Sequence, residues 1–205
     1  MKRLLCVSVV FLSTGLAGIS GCDSHNKNGV EVSVKGGGPF PAYLAGTWKC
    51  EKEELEIDFK ADGTISAAAL PMGKRKLQPG KTLDVNEGPQ YKAVFEPGIW
   101  NVRYEPVERV LSVDLPLDHF RVENELGVIE GKSRDLFSGP VSQDGLVWNA
   151  DWYCFPEYYV TDSNNINIKH FQLPIDANDN PISTLIFRKV TDQHKTGVDS
   201  NTPAG

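Results

Sequence analysis

The chain has 205 residues, with 21 basic and 27 acidic side chains and a formal net charge of −6. This acidic balance opposes nucleic-acid binding, which depends on lysine and arginine side chains that displace counterions from phosphates. The 13 prolines and 19 glycines disfavour long helices. Once the two chain ends considered below are set aside, about 150 residues remain, a length typical of one folded domain.

The first 21 residues have the layout of a cleavable export signal. Lys2 and Arg3 place two positive charges before an apolar run from Leu4 to Leu12, and mostly small residues follow. A membrane-spanning helix needs about 20 consecutive apolar residues, and serine, threonine and glycine interrupt this run earlier. We therefore expect residues 1–21 to be removed on export. The mature chain then has 21 − 2 = 19 basic and 27 acidic residues.

The end of this signal is Ile19-Ser20-Gly21-Cys22, which resembles the lipobox of bacterial lipoproteins. The resemblance implies that Cys22 becomes the mature N-terminus and carries lipid, including a palmitate-type acyl chain that anchors the protein in the membrane. Asp23 resembles the signal that retains enterobacterial lipoproteins in the inner membrane. The expected location is the extracytoplasmic side of a cell membrane. An ordinary secretory signal, with Cys22 an incidental thiol, is the alternative.

Both ends of the mature chain are polar. Residues 22–41 are rich in glycine and have only a short alternation of Val30, Val32 and Val34, so they predict a flexible tether. Residues 191–205 have no apolar periodicity and are predicted to be disordered. The folded domain is therefore expected to span residues 42–190.

Within that domain, apolar residues recur at every second position. Leu55, Ile57 and Phe59 alternate with charged residues, and the turn sequence Ala61-Asp62-Gly63 follows them. The same alternation recurs in several later segments, separated by proline and glycine turns. It predicts an all-β fold with little helix, either a single antiparallel β-barrel or a β-sandwich.

Two cysteines remain after the signal and Cys22 are excluded. Cys50 and Cys154 both lie in predicted strands, and an oxidising compartment favours a disulfide between them. Such a bridge would close a loop of roughly 100 residues and restrict the unfolded chain by several kcal/mol. Two separate buried thiols are the alternative.

The first and last predicted strands resemble those of lipocalin-like barrels. Gly46-Thr47-Trp48 opens the first strand, and Leu185-Ile186-Phe187-Arg188 forms the last. The resemblance implies that these strands pair to close the barrel and that Arg188 packs across the Trp48 ring. The family's Thr-Asp-Tyr motif is absent, because Thr161-Asp162 is followed by Ser163. The alternative is that Arg188 is a solvated edge residue.

No cofactor or metal motif is complete. Gly80-Lys81-Thr82 resembles the end of a phosphate-binding loop, but Arg75 occupies the position of the required glycine. Asp176–Asn180 resembles the start of a calcium loop, but Pro181 stands where its turn glycine belongs. The four histidines lack zinc-site spacing. We therefore predict no cofactor, no metal and no catalytic residue.

Aromatic residues are concentrated between positions 148 and 159. Alternation places Trp148 and Trp152 on a core face, whereas Tyr153, Tyr158 and Tyr159 lie on the other face or in the segment 155–181. That segment lacks clear alternation and is predicted to be a long irregular connection, a feature that is often functional. The three tyrosines are therefore the predicted ligand-binding residues.

The function predicted from these patterns is a non-catalytic ligand-binding or interaction domain. Its partners, besides the membrane, would be a small apolar or carbohydrate ligand or an envelope protein. The alternative is an envelope hydrolase that uses acidic residues, such as Asp144 with Asp151.

Overall fold

A computed structural model describes residues 25–70, 75–162, 168–172 and 181–191. The all-β prediction is confirmed, since these residues form fifteen strands and two 3₁₀ turns, at Ala42–Leu44 and Glu51–Glu53. The predicted signal, the lipidation site Cys22 and nearly all of the predicted disordered tail lie outside the described residues. The strands are β1 (His25–Lys27), β2 (Val30–Val34), β3 (Gly46–Cys50), β4 (Leu55–Phe59), β5 (Ile65–Ala69), β6 (Lys76–Leu77), β7 (Leu83–Asn86), β8 (Tyr91–Pro97), β9 (Trp100–Glu105), β10 (Val110–Asn124), β11 (Gly127–Pro140), β12 (Val147–Cys154), β13 (Glu157–Asp162), β14 (Ile168–Gln172) and β15 (Ser183–Lys189).

The strands form one mixed sheet. Its main path follows the order β1-β2-β9-β10-β11-β12-β15-β3-β4-β5-β6, and we name this part the body. All pairs are antiparallel except β2 with β9, which is parallel. The prediction of a purely antiparallel sheet is therefore wrong at this pair, and hydrogen bonds between the described strands do not close the sheet into a barrel.

The parallel strand β2 lies inside the segment predicted to be a flexible tether. Val30, Val32 and Val34 are all buried, and the backbone N–H of Lys35 donates to the carbonyl of Tyr104 at 2.9 Å. The tether prediction is wrong here, because three alternating valines give β2 one apolar face that packs into the core.

The two edges of the body approach each other although they do not pair. Phe40, which follows β2, stacks on Phe59 of β4 with ring centroids 6.2 Å apart. Nearby, Gly29 is so close to Gly80 that a Cβ on Gly29 would lie 2.9 Å from the Gly80 nitrogen. We name this line of approach, where β2 meets the β4–β5 turn and the β6–β7 turn, the seam.

Aromatic side chains fill the interior of the body. Trp48, Trp148 and Phe187 are fully buried, with Trp148 and Phe187 stacked at 4.8 Å between centroids. The 3₁₀ turn Ala42–Leu44 covers one end, where the carbonyl of Leu44 accepts a hydrogen bond from Trp48 Nε1 at 2.9 Å. We call this the covered end. Over the described residues, the interior is a packed core.

The first and last strands of the lipocalin resemblance do pair. β3 is antiparallel to β15, with Lys189 opposite Trp48 and Arg188 opposite Lys49. However, Arg188 is exposed whereas Trp48 is buried, so the two side chains lie on opposite faces of the sheet. The predicted stacking of Arg188 on Trp48 is wrong, because Phe187 occupies the inward position and strand alternation turns Arg188 outward.

The predicted disulfide between Cys50 and Cys154 is also wrong, since both thiols are free. Through β15, Cys50 lies level with Trp148 of β12, and Cys154 lies six residues further along that strand. Six residues of strand span about 20 Å, whereas a disulfide requires Cα atoms within about 7 Å.

The long hairpin of β10 and β11 extends beyond the body. Its outer part pairs with β8 on one side and with β13 on the other, and β7 and β14 complete the edges. We name this extension the arm. The prediction that residues 155–181 form an irregular connection is therefore wrong over β13 and β14.

Candidate functional site

The arm has an apolar face and a charged face, because its strands alternate in residue type. Register pairs such as Val122 with Ile129 and Gly131 with Tyr158 define the apolar face. Its side chains pack against the core of the body and include Leu83, Val85, Ala93, Phe95, Phe120, Val122, Ile129 and Tyr158. The opposite face carries the residues between these positions, and most of them are charged.

A groove of about 660 Å³ lies on the charged face. Adjacent positions on three strands form its floor, since Glu130 of β11 is opposite Arg121 of β10 and opposite Tyr159 of β13. We name it the arm groove. Its lining residues are Asp118, His119, Arg121, Val128, Glu130, Gly131, Lys132, Glu157, Tyr159 and Thr161.

Ion pairs connect the charged residues of the arm groove. Glu130 contacts His119 Nε2 at 3.1 Å and Arg121 Nη1 at 2.7 Å. The hydrogen bond from His119, followed by that from Arg121, holds the pKa of the Glu130 carboxyl below its usual range. Lys132 lies 3.0 Å from Glu157. The groove thus offers both hydrogen-bond donors and acceptors, with charges of both signs.

The three predicted ligand-binding tyrosines do not form one surface. Tyr159 lines the arm groove and is 47% exposed. Tyr158 is on the apolar face, where its ring centroid lies 6.4 Å from that of Phe120. Tyr153 is in β12 opposite Leu136 and outside the groove. Only Tyr159 combines exposure with a cavity.

The charged partners of Tyr159 were not predicted from the sequence. His119 and Arg121 in β10, and Glu130 and Lys132 in β11, each alternate with apolar or small residues. This alternation predicts a solvated strand face. The missing information was that β13 pairs with the same hairpin and places Tyr159 beside Glu130.

A buried polar cluster lies in the body where the arm begins. Asp135 is 1% exposed and accepts a hydrogen bond from Trp152 Nε1 at 2.8 Å. Burial raises the pKa of Asp135 to about 6, and burial together with Asp135 raises the pKa of the Cys154 thiol. Cys154 therefore carries its proton at neutral pH and is a poor nucleophile.

The acidic pair considered for hydrolysis is not brought together. Asp144 lies in the β11–β12 turn, where it accepts hydrogen bonds from Ser142 and from the Leu146 N–H. Asp151 lies on β12 and accepts a hydrogen bond from Thr184. Six residues of the chain lie between Asp144 and Asp151, and each carboxylate accepts hydrogen bonds within its own part of the structure.

Metal ligation and membrane spanning both leave recognisable features in a structure. The described parts of the chain contain no group of three or more histidine, cysteine, aspartate or glutamate side chains arranged to hold a metal ion. In the same residues, no helix has the length and apolar character needed to span a membrane.

No protein-family model, curated protein or solved structure matches the chain.

Proposed function

We propose that this chain is a lipid-anchored extracytoplasmic lipoprotein whose β-domain binds a ligand without catalysing a reaction. The arm groove is the proposed binding surface. The observation that carries the proposal is the exposed ring of Tyr159 in a groove of about 660 Å³, on an arm that extends from a body with a filled interior. Concave sites that combine an aromatic face with a few polar groups are typical of ligand binding.

The position of β1 bears on which side of the molecule an anchor on Cys22 would attach. His25 lies beside Val32, and Cys22, only three residues earlier, is within about 10 Å of His25 along the chain. β2 then continues to Val34 opposite Tyr104, whose hydroxyl lies 2.6 Å from that of Tyr43 at the covered end. An anchor on Cys22 would therefore attach on the body side of the molecule.

The arm groove is remote from that attachment. Val32 is level with Val102, which pairs with Val113 of β10, and Arg121 lies eight residues further along β10. Eight residues of strand span about 26 Å. A lipid on Cys22 would hold the body beside the membrane and leave the groove accessible from the aqueous side.

The charge balance of the groove favours a neutral, hydroxyl-rich ligand. Glu130 pairs with Arg121 and Glu157 pairs with Lys132, so most of the charge of the lining is compensated and the groove attracts neither sign of charge strongly. Carboxylates and cationic side chains together provide acceptors and donors for hydroxyl groups. The Tyr159 ring adds an apolar surface for a sugar face. We therefore propose a neutral saccharide as the ligand class.

A hydrolase is the second candidate, because Glu130 and Glu157 line the same groove. They occupy diagonal positions on β11 and β13, a relation that separates Cα atoms by about 7–8 Å. A glycosidase needs one carboxyl that is protonated at working pH. The lowered pKa of Glu130 opposes this role, since its pairs with His119 and Arg121 hold it ionised.

The anchoring part is tested by Cys22→Ser in the native host. We expect the variant to leave the membrane fraction, while the unchanged protein sediments with membranes and gains label from a fatty-acid precursor. If the variant remains membrane-associated, or if the unchanged protein takes up no label, the lipoprotein assignment is wrong.

The binding part is tested by calorimetric titration of the full chain in detergent with neutral oligosaccharides of about two to six sugar units. We expect saturable binding that Tyr159→Ala weakens about tenfold or more, since the ring supplies most of the apolar contact. Tyr153→Ala is the matched control, because Tyr153 lies opposite Leu136 and outside the groove.

The same samples separate binding from hydrolysis when their saccharides are chromatographed after incubation. Unchanged saccharides support a binding module. Shortened products that disappear in Glu157→Gln would establish the hydrolase instead. If neither binding nor cleavage is found, the saccharide assignment fails.

A further inference from the structure

A second cavity of about 700 Å³ lies at the seam of the body, and it shares no lining residue with the arm groove. Three turns meet there: the β1–β2 turn, the β4–β5 turn and the β6–β7 turn. Its lining residues are Asn28, Gly29, Lys60, Thr64, Ile65, Ser66, Gln78, Pro79, Gly80 and Lys81. We name it the seam pocket.

The charge of the seam pocket is opposite to that of the whole chain. Lys60 and Lys81 both line it, and no carboxylate is among the described lining residues, although the chain has a formal net charge of −6. Most described lysines and arginines form ion pairs, but these two form none with any described residue. Lys81 Nζ donates instead to the amide oxygen of Gln78 at 2.9 Å.

The carboxylates nearest in sequence are directed to other partners. Asp62 accepts hydrogen bonds from the N–H and the hydroxyl of Thr64 within its own turn. Asp58 lies 2.6 Å from Lys76 Nζ. Neither residue is among those that line the pocket, so the charged residues of its described lining are both lysines.

Backbone groups also form part of the pocket wall, because Gly29 and Gly80 carry no side chain. Asn28, Gly29 and Gly80 have positive φ values of 54°, 78° and 66°, and the two turns pack backbone to backbone where Gly29 meets Gly80. The side-chain amide of Asn28, which lines the same cavity, adds a hydrogen-bond donor.

We propose that the seam pocket binds a phosphate-type oxyanion, held mainly by Lys60 and Lys81. An ammonium group is a compact charge that binds phosphate without demanding one geometry. Gly80-Lys81-Thr82 contributes through its position in the β6–β7 turn and not as a phosphate-binding loop, because no helix follows it. Lys60 comes from a different turn, the β4–β5 turn, about 20 residues earlier in the chain.

The test is calorimetric titration of the full chain in detergent with sodium phosphate at constant ionic strength, with sodium chloride as the reference salt. We expect saturable binding of phosphate that the double variant Lys60→Met/Lys81→Met weakens about tenfold or more. Lys92→Met/Arg188→Met is the matched control, since it removes two exposed charges that form no ion pair in the described structure and lie outside the pocket. Circular dichroism checks that each variant is folded.

The source of the oxyanion is separated by a second titrant, dihexanoyl phosphatidylglycerol below its micelle concentration. Lysine-dependent binding of inorganic phosphate alone assigns a free or metabolite phosphate. Lysine-dependent binding of the short-chain lipid alone assigns a lipid headgroup. Absence of saturable binding for both, or equal affinities in the double variant and the unchanged chain, overturns the proposal.

Discussion

Asp135 and Trp152 form a hydrogen bond inside the body, with Nε1 of the indole donating to Oδ1 of the carboxyl at 2.8 Å. Burial outweighs the hydrogen bonds that Trp152 and the Cys154 thiol give to the carboxylate, so the pKa of Asp135 is raised to about 6. Ser133 lies two residues away on the same face, and its hydroxyl has no described partner. The protein therefore carries a charge in its core at neutral pH.

This charge makes stability depend on pH. The folded pKa of Asp135 is above its unfolded value of about 3.9, so the folded state holds the proton more tightly between about pH 4 and pH 6. Protonation of Asp135 therefore favours the folded state. This stabilisation is fully present below about pH 4 and is lost as the pH rises through 6. Asp135→Asn should therefore raise the free energy of unfolding at pH 7 by roughly 2 kcal/mol, and by little at pH 4.

Urea denaturation of both proteins between pH 4 and pH 7.5 measures this difference. Asp151→Asn is the control, since Asp151 lies on the neighbouring strand and bonds to the exposed Thr184; it should keep the pH dependence of the unchanged chain. A constant difference between Asp135→Asn and the unchanged chain over this range would contradict the raised pKa.

Trp48 and Arg188 lie on neighbouring strands but on opposite faces of the sheet. Their substitution should therefore change the free energy of unfolding by very different amounts. Trp48→Phe removes the hydrogen bond to the Leu44 carbonyl and leaves a cavity beside Trp148, so we expect a loss of roughly 2–4 kcal/mol in the free energy of unfolding. Arg188→Ala should change it by less than about 0.5 kcal/mol. A large loss of stability in Arg188→Ala would instead support the stacking of Arg188 on Trp48 that is expected of a lipocalin-like barrel.

The alternation of residue types was sufficient to predict the strands but not their order in the sheet. Trp48, Trp148 and Phe187 could be assigned to the core because each lies at an inward position of a period-two pattern. The position of β2 was missed, since its three valines are also compatible with a polar, glycine-rich tether. Only the parallel pairing with β9 buries them.

The candidate sites were harder to predict because each depends on contacts between distant segments. Tyr159 meets Glu130 only through the β11–β13 pairing, and Lys60 meets Lys81 only where the sheet edges approach. A sequence pattern shows which residues share a strand face, but loop lengths and sheet curvature determine which faces become neighbours.

Cys50 and Cys154 should be alkylated without prior reduction. Alkylation in urea followed by mass spectrometry of peptides should find both thiols modified, because the strands hold them about 20 Å apart. Dithiothreitol should leave the urea midpoint unchanged, whereas loss of a bridge across roughly 100 residues would cost about 4–5 kcal/mol. A disulfide-linked peptide pair would show that the sheet order around β15 is wrong.

Gly63 tests how tightly the seam is packed, because it lies in the β4–β5 turn against residues from the other sheet edge. A Cβ at this position would come within 2.5 Å of Phe40 Cγ and 2.8 Å of Val32 Cγ1. Gly63 also has a φ of +84°, a conformation in which any side chain is strained.

Gly63→Ala should therefore lower the free energy of unfolding by roughly 3 kcal/mol or more, as backbone strain and overpacking add. Gly36→Ala separates the two effects, since Gly36 also has a φ of +84° but a Cβ added there would have no neighbouring atom within 4 Å. It should cost only the strain, about 1–2 kcal/mol. Equal losses in the two variants, measured by urea denaturation at one pH, would mean that Val32 and Phe40 do not pack on the β4–β5 turn and that the two sheet edges do not approach in solution.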